Sequence, residues 1–157
     1  MNTKLFSKIV VPVDGSENSR HAAKYAIDIG SRYNSQVILM NIIYSPLNTE
    51  YSNLSGFVTP SQIERLAEKA KDEAEKEFEK IIKDNKENID FDKADVKTEV
   101  VSTSISVYST ILEYVKKEDV DLIVMGSRGR TGLKKILLGS TSSGVVTYAE
   151  CPVMIIK

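Results

Sequence analysis

The chain has 157 residues, the length of one domain, and 41% of them are hydrophobic, enough for a packed core. Its 21 Lys and Arg balance 22 Asp and Glu, a net charge of −1 that argues against a broad basic face for nucleic acid or an anionic membrane. A single cysteine, Cys151, and a single histidine, His21, exclude an intrachain disulfide, a cysteine-based metal cluster and most zinc arrangements.

The first apolar run, Ile9-Val10-Val11-Pro12-Val13, is short, cut by proline and ended by Asp14. It reads as a strand and not as the core of a signal peptide. No segment approaches the roughly 18 consecutive apolar residues of a membrane helix, so the expectation is a soluble, cytoplasmic, single domain over 1–157. A helix follows from about Ser19 to Tyr33, with Ala22, Ala23, Ala26, Ile27 and Ile29 on one stripe and Gly30 near its end. Val37 to Met40, continuing to Ile42 and Ile43, is a second strand. Tyr44 to Pro60 is a polar stretch carrying prolines, a glycine and aromatics, among them Tyr51 and Phe57. It reads either as a functional loop that closes over a ligand or as a surface insertion.

From about Ser61 to Lys86, Ile63, Leu66, Ala67, Ala70, Ala74, Phe78, Ile81 and Ile82 recur every three or four positions, an amphipathic helix with a Lys/Glu outer face. Thr59-Pro60-Ser61 supplies its N-cap and first-turn proline. Val96 to Val101 alternates apolar with charged residues and is expected at a sheet edge. A helix from about Ser106 to Lys117 precedes the strand Leu122 to Met125. A fourth helix from Ser140 to near Glu150 is stopped by Pro152, and Val153 to Ile156 closes the chain as a strand. Continuous apolarity in four of these five strands implies burial on both faces. The βαβα alternation implies an open parallel sheet with helices on both faces.

Such sheets bind ligands beyond the carboxyl ends of their strands, where strand order reverses. The richest of those segments begins at Gly126 and runs through Gly129 and Gly132 to Gly139-Ser140-Thr141, with Arg128, Arg130, Lys134 and Lys135 between the glycines. Two glycine clusters, a helix start and a basic loop form a cradle for a polyphosphate. The bland alternative is a turn followed by an ordinary Ser N-cap. Neither a G-x-x-x-x-G-K-[ST] loop nor a G-x-G-x-x-G fingerprint after the first strand is present. Asp14, before Gly15 and Ser16, is open to a second explanation as an Asx cap of the first helix. His21 reads as an incidental side chain, Cys151 as a small packing residue and the charged second helix as a solvated face.

Gly126-x2-Gly129-x9-Gly139-Ser140 resembles the G-x2-G-x9-G-[ST] nucleotide motif of the ATP-binding branch of the universal stress protein family. The likeness extends over nearly the whole chain, through Pro12-Val13-Asp14-Gly15-Ser16, Val37 to Met40, Asp119 to Gly126 and Cys151-Pro152-Val153. It implies a Rossmann-like five-stranded parallel sheet of order 3-2-1-4-5 that binds ATP at the ends of the first and fourth strands. By the same resemblance Pro12, Val13 and Asp14 border the adenine and ribose, and Ile42 offers main-chain groups to the base. Met125 and Gly126 lie along the ribose. Gly129, Gly139, Ser140 and Thr141 hold the phosphates, with Mg2+ or Mn2+ as their companion, and Arg128 lies in the same loop. No separate metal site made of protein ligands and no catalytic residue is implied. The expected role is nucleotide-responsive stress signalling or protection, by a homodimer formed through the C-terminal strand and open to a further protein partner. The rivals are a slow ATP hydrolase and a nucleotide-free dimerisation scaffold. Two features depart from the family's pattern: Ser102-Thr103-Ser104 replaces a Gly-x-Pro turn, and Asn41 stands where histidine is common.

Overall fold

A computed structural model of the protein describes residues 5–45, 59–87, 90–129 and 138–157. Most of the Tyr44–Pro60 stretch, with Tyr51 and Phe57, therefore lies outside the described residues, as do Arg130, Lys134 and Lys135.

The elements follow the order expected from sequence: β1 (Lys8–Pro12), α1 (Glu17–Tyr33), β2 (Gln36–Tyr44), α2 (Pro60–Lys86), β3 (Asp95–Thr103), α3 (Val107–Lys117), β4 (Leu122–Gly126), α4 (Ser140–Tyr148) and β5 (Val153–Ile156). The strands make one parallel sheet in the order β3-β2-β1-β4-β5. Chain order reverses at β1, which pairs with β2 on one side and β4 on the other, and this creates the crevice in which such folds take ligands.

Alternate residues of each central strand feed opposite faces of the sheet. Ile9, Val11, Val37, Leu39, Leu122 and Val124 pack with Ala22, Ala26 and Ile27 of α1 and Phe78 and Ile81 of α2. Val10, Ile38, Met40, Ile123 and Met125 pack instead with Ile111 and Val115 of α3 and Val145 of α4. Burial on both faces is why these three strands carry no polar alternation.

β5 departs from that expectation. Its four residues are apolar yet only half-buried, because the strand pairs with β4 alone and forms a sheet edge. A short 3-10 turn, Phe91–Lys93, was not legible as an element; it is too brief to show a period, and Phe91 packs against the core while Lys93 pairs with Asp90. The α2 start is as expected, with Thr59 and Gln62 forming a capping box ahead of Pro60.

Candidate functional site

The site is built from three chain segments that end side by side. After β1 the chain must turn sharply into α1, and Gly15 makes that turn at φ 81°, a conformation that favours glycine. The Asp14 carboxylate accepts the Ser16 N–H at 2.9 Å, closing an Asx turn. Ser16, not Asp14, is the N-cap of α1, accepting from the Ser19 N–H at 3.2 Å. One Asp14 oxygen is thus spent on local structure. The other, Oδ2, makes no hydrogen bond among the described residues and faces Gly129, where an added Cβ would lie 2.8 Å from it.

β2 holds the same turn from the other side. The Val13 N–H donates to Met40 O at 2.7 Å, and the Asn41 amide donates to Val13 O at 2.8 Å. Asn41, noted above as a departure from the family's pattern, therefore pins the backbone that carries Asp14. The Ser102-Thr103-Ser104 turn closes on hydroxyls: Thr103 Oγ1 accepts from Ile105 N–H and from Thr110 Oγ1. It is absent from the cavity wall described next.

The third segment leaves β4. Gly126 sits so close to α1 that a Cβ would meet Asn18 Cβ at 2.8 Å and the Asn18 carbonyl carbon at 2.9 Å. Two bonds bring α4 back to this point: Gly139 N–H to Ser127 O at 2.8 Å, and Ser142 Oγ to Gly126 O at 2.9 Å, the latter buried. The α4 N-cap is Gly139 itself, with no side-chain cap. Ser140 lies one position too late to cap, so the ordinary Ser N-cap weighed from the sequence does not occur. The first-turn N–H groups of α4 and the Ser140 and Thr141 hydroxyls have no partner among the described residues. They face the anion-attracting end of the helix dipole.

These segments enclose a cavity of about 280 Å3, near the lower end of ordinary small-molecule pockets. Every site residue named from the sequence lines it: Pro12, Val13, Asp14, Ile42, Met125, Gly126, Arg128, Gly129, Gly139, Ser140 and Thr141. Ser19, Met40, Val107 and Ser142 also line it and were not foreseen. Ser19 and Val107 read as ordinary first-turn helix residues and Met40 as core, so periodicity gave no signal for them. Ser142 belongs to the Ser/Thr run that opens α4, the one available hint. The Arg128 Nε is shielded from solvent and has no hydrogen-bond partner among the described residues. No group of three or more His, Cys, Asp or Glu suited to a metal ion occurs among the described residues.

A crevice at a strand-order reversal, with an uncapped helix start and Arg128 on its wall, places the chain among Rossmann-like α/β domains. Residues 5–157 match the model of the universal stress protein family, and the chain belongs to that family. It is 33% identical over 153 residues to a universal stress protein of Methanocaldococcus jannaschii, MJ0531, covering 98% of this chain and 83% of that protein. The solved structure of MJ0577, a test case for structure-based assignment of biochemical function, superposes with a TM-score of 0.75. It is 30% identical, with 98% of this chain and 96% of that one covered. UspA from Lactobacillus plantarum gives a TM-score of 0.74 at 26% identity, covering 99% and 100%. Two more distant neighbours share the fold. A universal stress protein in complex with cAMP has a TM-score of 0.57 at 20% identity, covering 97% of each chain. One from Archaeoglobus fulgidus in complex with dAMP has a TM-score of 0.62 at 19% identity, covering 98% and 99%.

Proposed function

We propose that this chain binds an adenine nucleotide, with ATP as its working ligand, and acts as a nucleotide-responsive stress signalling or protection module. The observation that carries this reading is the convergence of the β1, β2 and β4 ends on one cavity whose far wall is the uncapped start of α4. The apolar end, made by Pro12, Val13 and Ile42, takes the base, and Asp14 Oδ2 accepts from the base or ribose. Met125 and Gly126 lie along the ribose. Gly129, Gly139, Ser140 and Thr141 hold phosphate, and Mg2+ or Mn2+ enters with the phosphates rather than through protein ligands.

The wall fits such a ligand: the unpartnered Arg128 Nε and the free α4 N–H groups want an anion, and the absent Cβ of Gly129 leaves Asp14 room. A nucleotide-free scaffold has no use for this arrangement. A dedicated hydrolase is not supported either. Asp14 is the only carboxylate lining the cavity among the described residues, and Ser16 engages one of its oxygens. The half-buried apolar edge at β5 is the expected homodimer surface, since such an edge invites pairing with a second chain. No helix among the described residues is long and apolar enough to cross a membrane, and we place the protein in the cytoplasm.

The direct test is acid extraction of the purified chain, followed by chromatographic identification of any released adenine nucleotide, with calorimetric titration of ATP into the extracted protein. Release or saturable one-site binding is expected. Absence of both, up to millimolar ATP, refutes the reading.

A further inference from the structure

The apolar stripe of α2 outruns the core. Ile63, Leu66, Ala67 and Ala70 continue the line of Ala74, Phe78 and Ile81 at helical spacing, and by sequence all of them belong to one interior. Burial begins only at Ala74: the buried residues of the helix are Ala74, Phe78, Ile81 and Asn85. Leu66 is 64% exposed, Ala67 is exposed, and Ile63 and Ala70 are half-buried. The part of α2 before Ala74 is therefore roughly 20 Å of amphipathic helix whose apolar side is largely open to solvent. A helix of that length is marginal in water without cover.

The charges beside the stripe point to its occupant. On one rim Lys69 and Glu73, one turn apart, pair with each other at 3.9 Å and leave that rim neutral. On the other rim stand Glu64 and Lys71, two turns apart on the same side of the helix. Neither has an ion pair among the described residues, where α2 pairs only Lys69 with Glu73 and Glu77 with Arg20. Glu64 finds no cation at i+3 or i+4, positions held by Ala67 and Glu68. An acid and a base two turns apart on one rim complement themselves when the helix is reversed. Antiparallel pairing about a two-fold axis beside Ala67 sets Ile63 over Ala70 of the second copy and Leu66 over its Ala67. Each Glu64 then comes level with the other copy's Lys71. Ala67 and Ala70 are small enough to let the helices approach closely, and the two cores, each beginning at Ala74, lie at opposite ends of the pair.

We propose that the N-terminal half of α2, through Ile63, Leu66, Ala67 and Ala70, is an interface with a second copy of this chain, antiparallel and held in register by Glu64 and Lys71. It is distinct from the β5 edge, since α2 packs against β2 and β3 at the other side of the sheet. Two self-complementary surfaces on one chain carry assembly beyond a dimer. Two helix stretches of this length bury less than the ~1,200 Å2 of stable interfaces, so the pairing is weak and depends on concentration.

The test is sedimentation equilibrium of the full chain at low salt, from about 10 μM to about 1 mM, the range in which weak contacts form. The mass of wild type is expected to climb towards twice its value at the dilute end. Leu66→Glu brings two carboxylates to the centre of the contact and should abolish the climb. Its melting temperature at the dilute end should match wild type, because Leu66 is exposed in the single chain. Glu64→Lys and Lys71→Glu each set like charges together twice and should weaken association about fivefold, the scale of exposed ion pairs. The two changes combined should restore it. In a Cys151→Ser chain, Ala67→Cys should form an intermolecular disulfide in air, and Glu75→Cys, on the outer side of the helix, should not. A wild-type mass no different from that of Leu66→Glu at every concentration overturns the proposal. So does a double variant that associates no better than the single ones, or equal cross-linking at positions 67 and 75. A Leu66→Glu chain that melts lower at the dilute end shows the stripe covered within its own chain and also overturns it. The mass at the dilute end, monomer or dimer, reports separately on the β5 edge.

Discussion

Three glycines around the cavity give opposite expectations for the same substitution, because the atoms facing them differ. At Gly126 an alanine Cβ would lie 2.8 Å from Asn18 Cβ and 2.9 Å from its carbonyl carbon. Backbone of α1 cannot swing aside, so the strand and helix must part. Overpacking of this kind costs about 1–3 kcal/mol. For a domain of this length each kcal/mol shifts the melting point by about 2–4 °C, so Gly126→Ala is expected to melt about 2–12 °C below wild type. At Gly129 the only atom in the way is Asp14 Oδ2, at 2.8 Å. A carboxylate oxygen reaches ordinary contact, 3.4 Å, by retreating about 0.6 Å, which costs the fold little. It moves the carboxylate assigned to the ligand, however. Loss of a hydrogen bond to a charged group weakens binding by about 1.5–3 kcal/mol, or roughly tenfold to a hundredfold. At Gly139 the nearest atoms stand at 3.7 Å and φ is −69°, so alanine fits.

Thermal melts monitored by circular dichroism, paired with ATP titrations, separate these effects. The expected pattern is a stability loss at Gly126, an affinity loss without a stability loss at Gly129, and an unchanged melting point at Gly139. A Gly126→Ala protein melting within a degree of wild type would refute the packing argument. A Gly129→Ala protein with unchanged ATP affinity would refute the placement of Asp14 against the ligand.

Four other outcomes are open to measurement. Ser142→Ala removes the buried bond to Gly126 O and should cost about 1–2 kcal/mol, seen as a lower urea midpoint. Tyr114 donates to Glu99, and burial first, then that bond, pushes its phenol well above the ordinary value of 10.0. A raised folded pKa gives stability that is whole below pH 10 and is lost as pH climbs beyond it. The difference in urea midpoint between wild type and Tyr114→Phe should therefore shrink above pH 10, and a constant difference up to pH 11 contradicts this. Ile155→Asp on the β5 edge should convert a homodimer to a monomer that still binds ATP, and light scattering of a monomeric wild type at tens of micromolar excludes the dimer. ATP turnover should stay well below about one per second, the low end for dedicated enzymes; a coupled phosphate-release assay reads it.

Much of this architecture is legible from the chain because the signals are local and strong. Ile9 to Val11 and Leu122 to Val124 are apolar on both faces since helices cover both, and the helices between announce themselves through their apolar stripes, Thr59-Pro60 and Ser106. α1, however, is closed by Asn34 at φ 52° and not by Gly30, which lies inside the helix. The wall residues Gly126, Gly129 and Gly139 were visible as a spacing. The contacts that require two of them were not, since Asn18 and Asp14 lie more than a hundred residues away in sequence. Ser19, Met40 and Val107 escaped notice for a related reason. Each satisfies a helix or core pattern completely, so nothing in its own neighbourhood asks for a second role. β5 shows the converse: its composition says buried, and only its place in the sheet says edge.

The helix starts separate the two kinds of information most clearly. α1, α2 and α3 each begin with a hydroxyl that accepts an N–H of the first turn, at Ser16, Thr59 and Ser106. α4 is as rich in hydroxyls as any of them, and by composition it should be the best capped. Its chain is instead held one residue earlier, by the Gly139 N–H on Ser127 O, while Ser127 N–H donates to Ile156 O on the edge strand. That pair of bonds fixes Gly139 as the cap and turns Ser140 into the first helical residue, with its hydroxyl free. The two main-chain groups of Ser127 thus set where α4 begins, one of them while anchored to β5. That α4 starts without a side-chain cap follows from the register between strand end and helix start, which no count of serines or glycines contains.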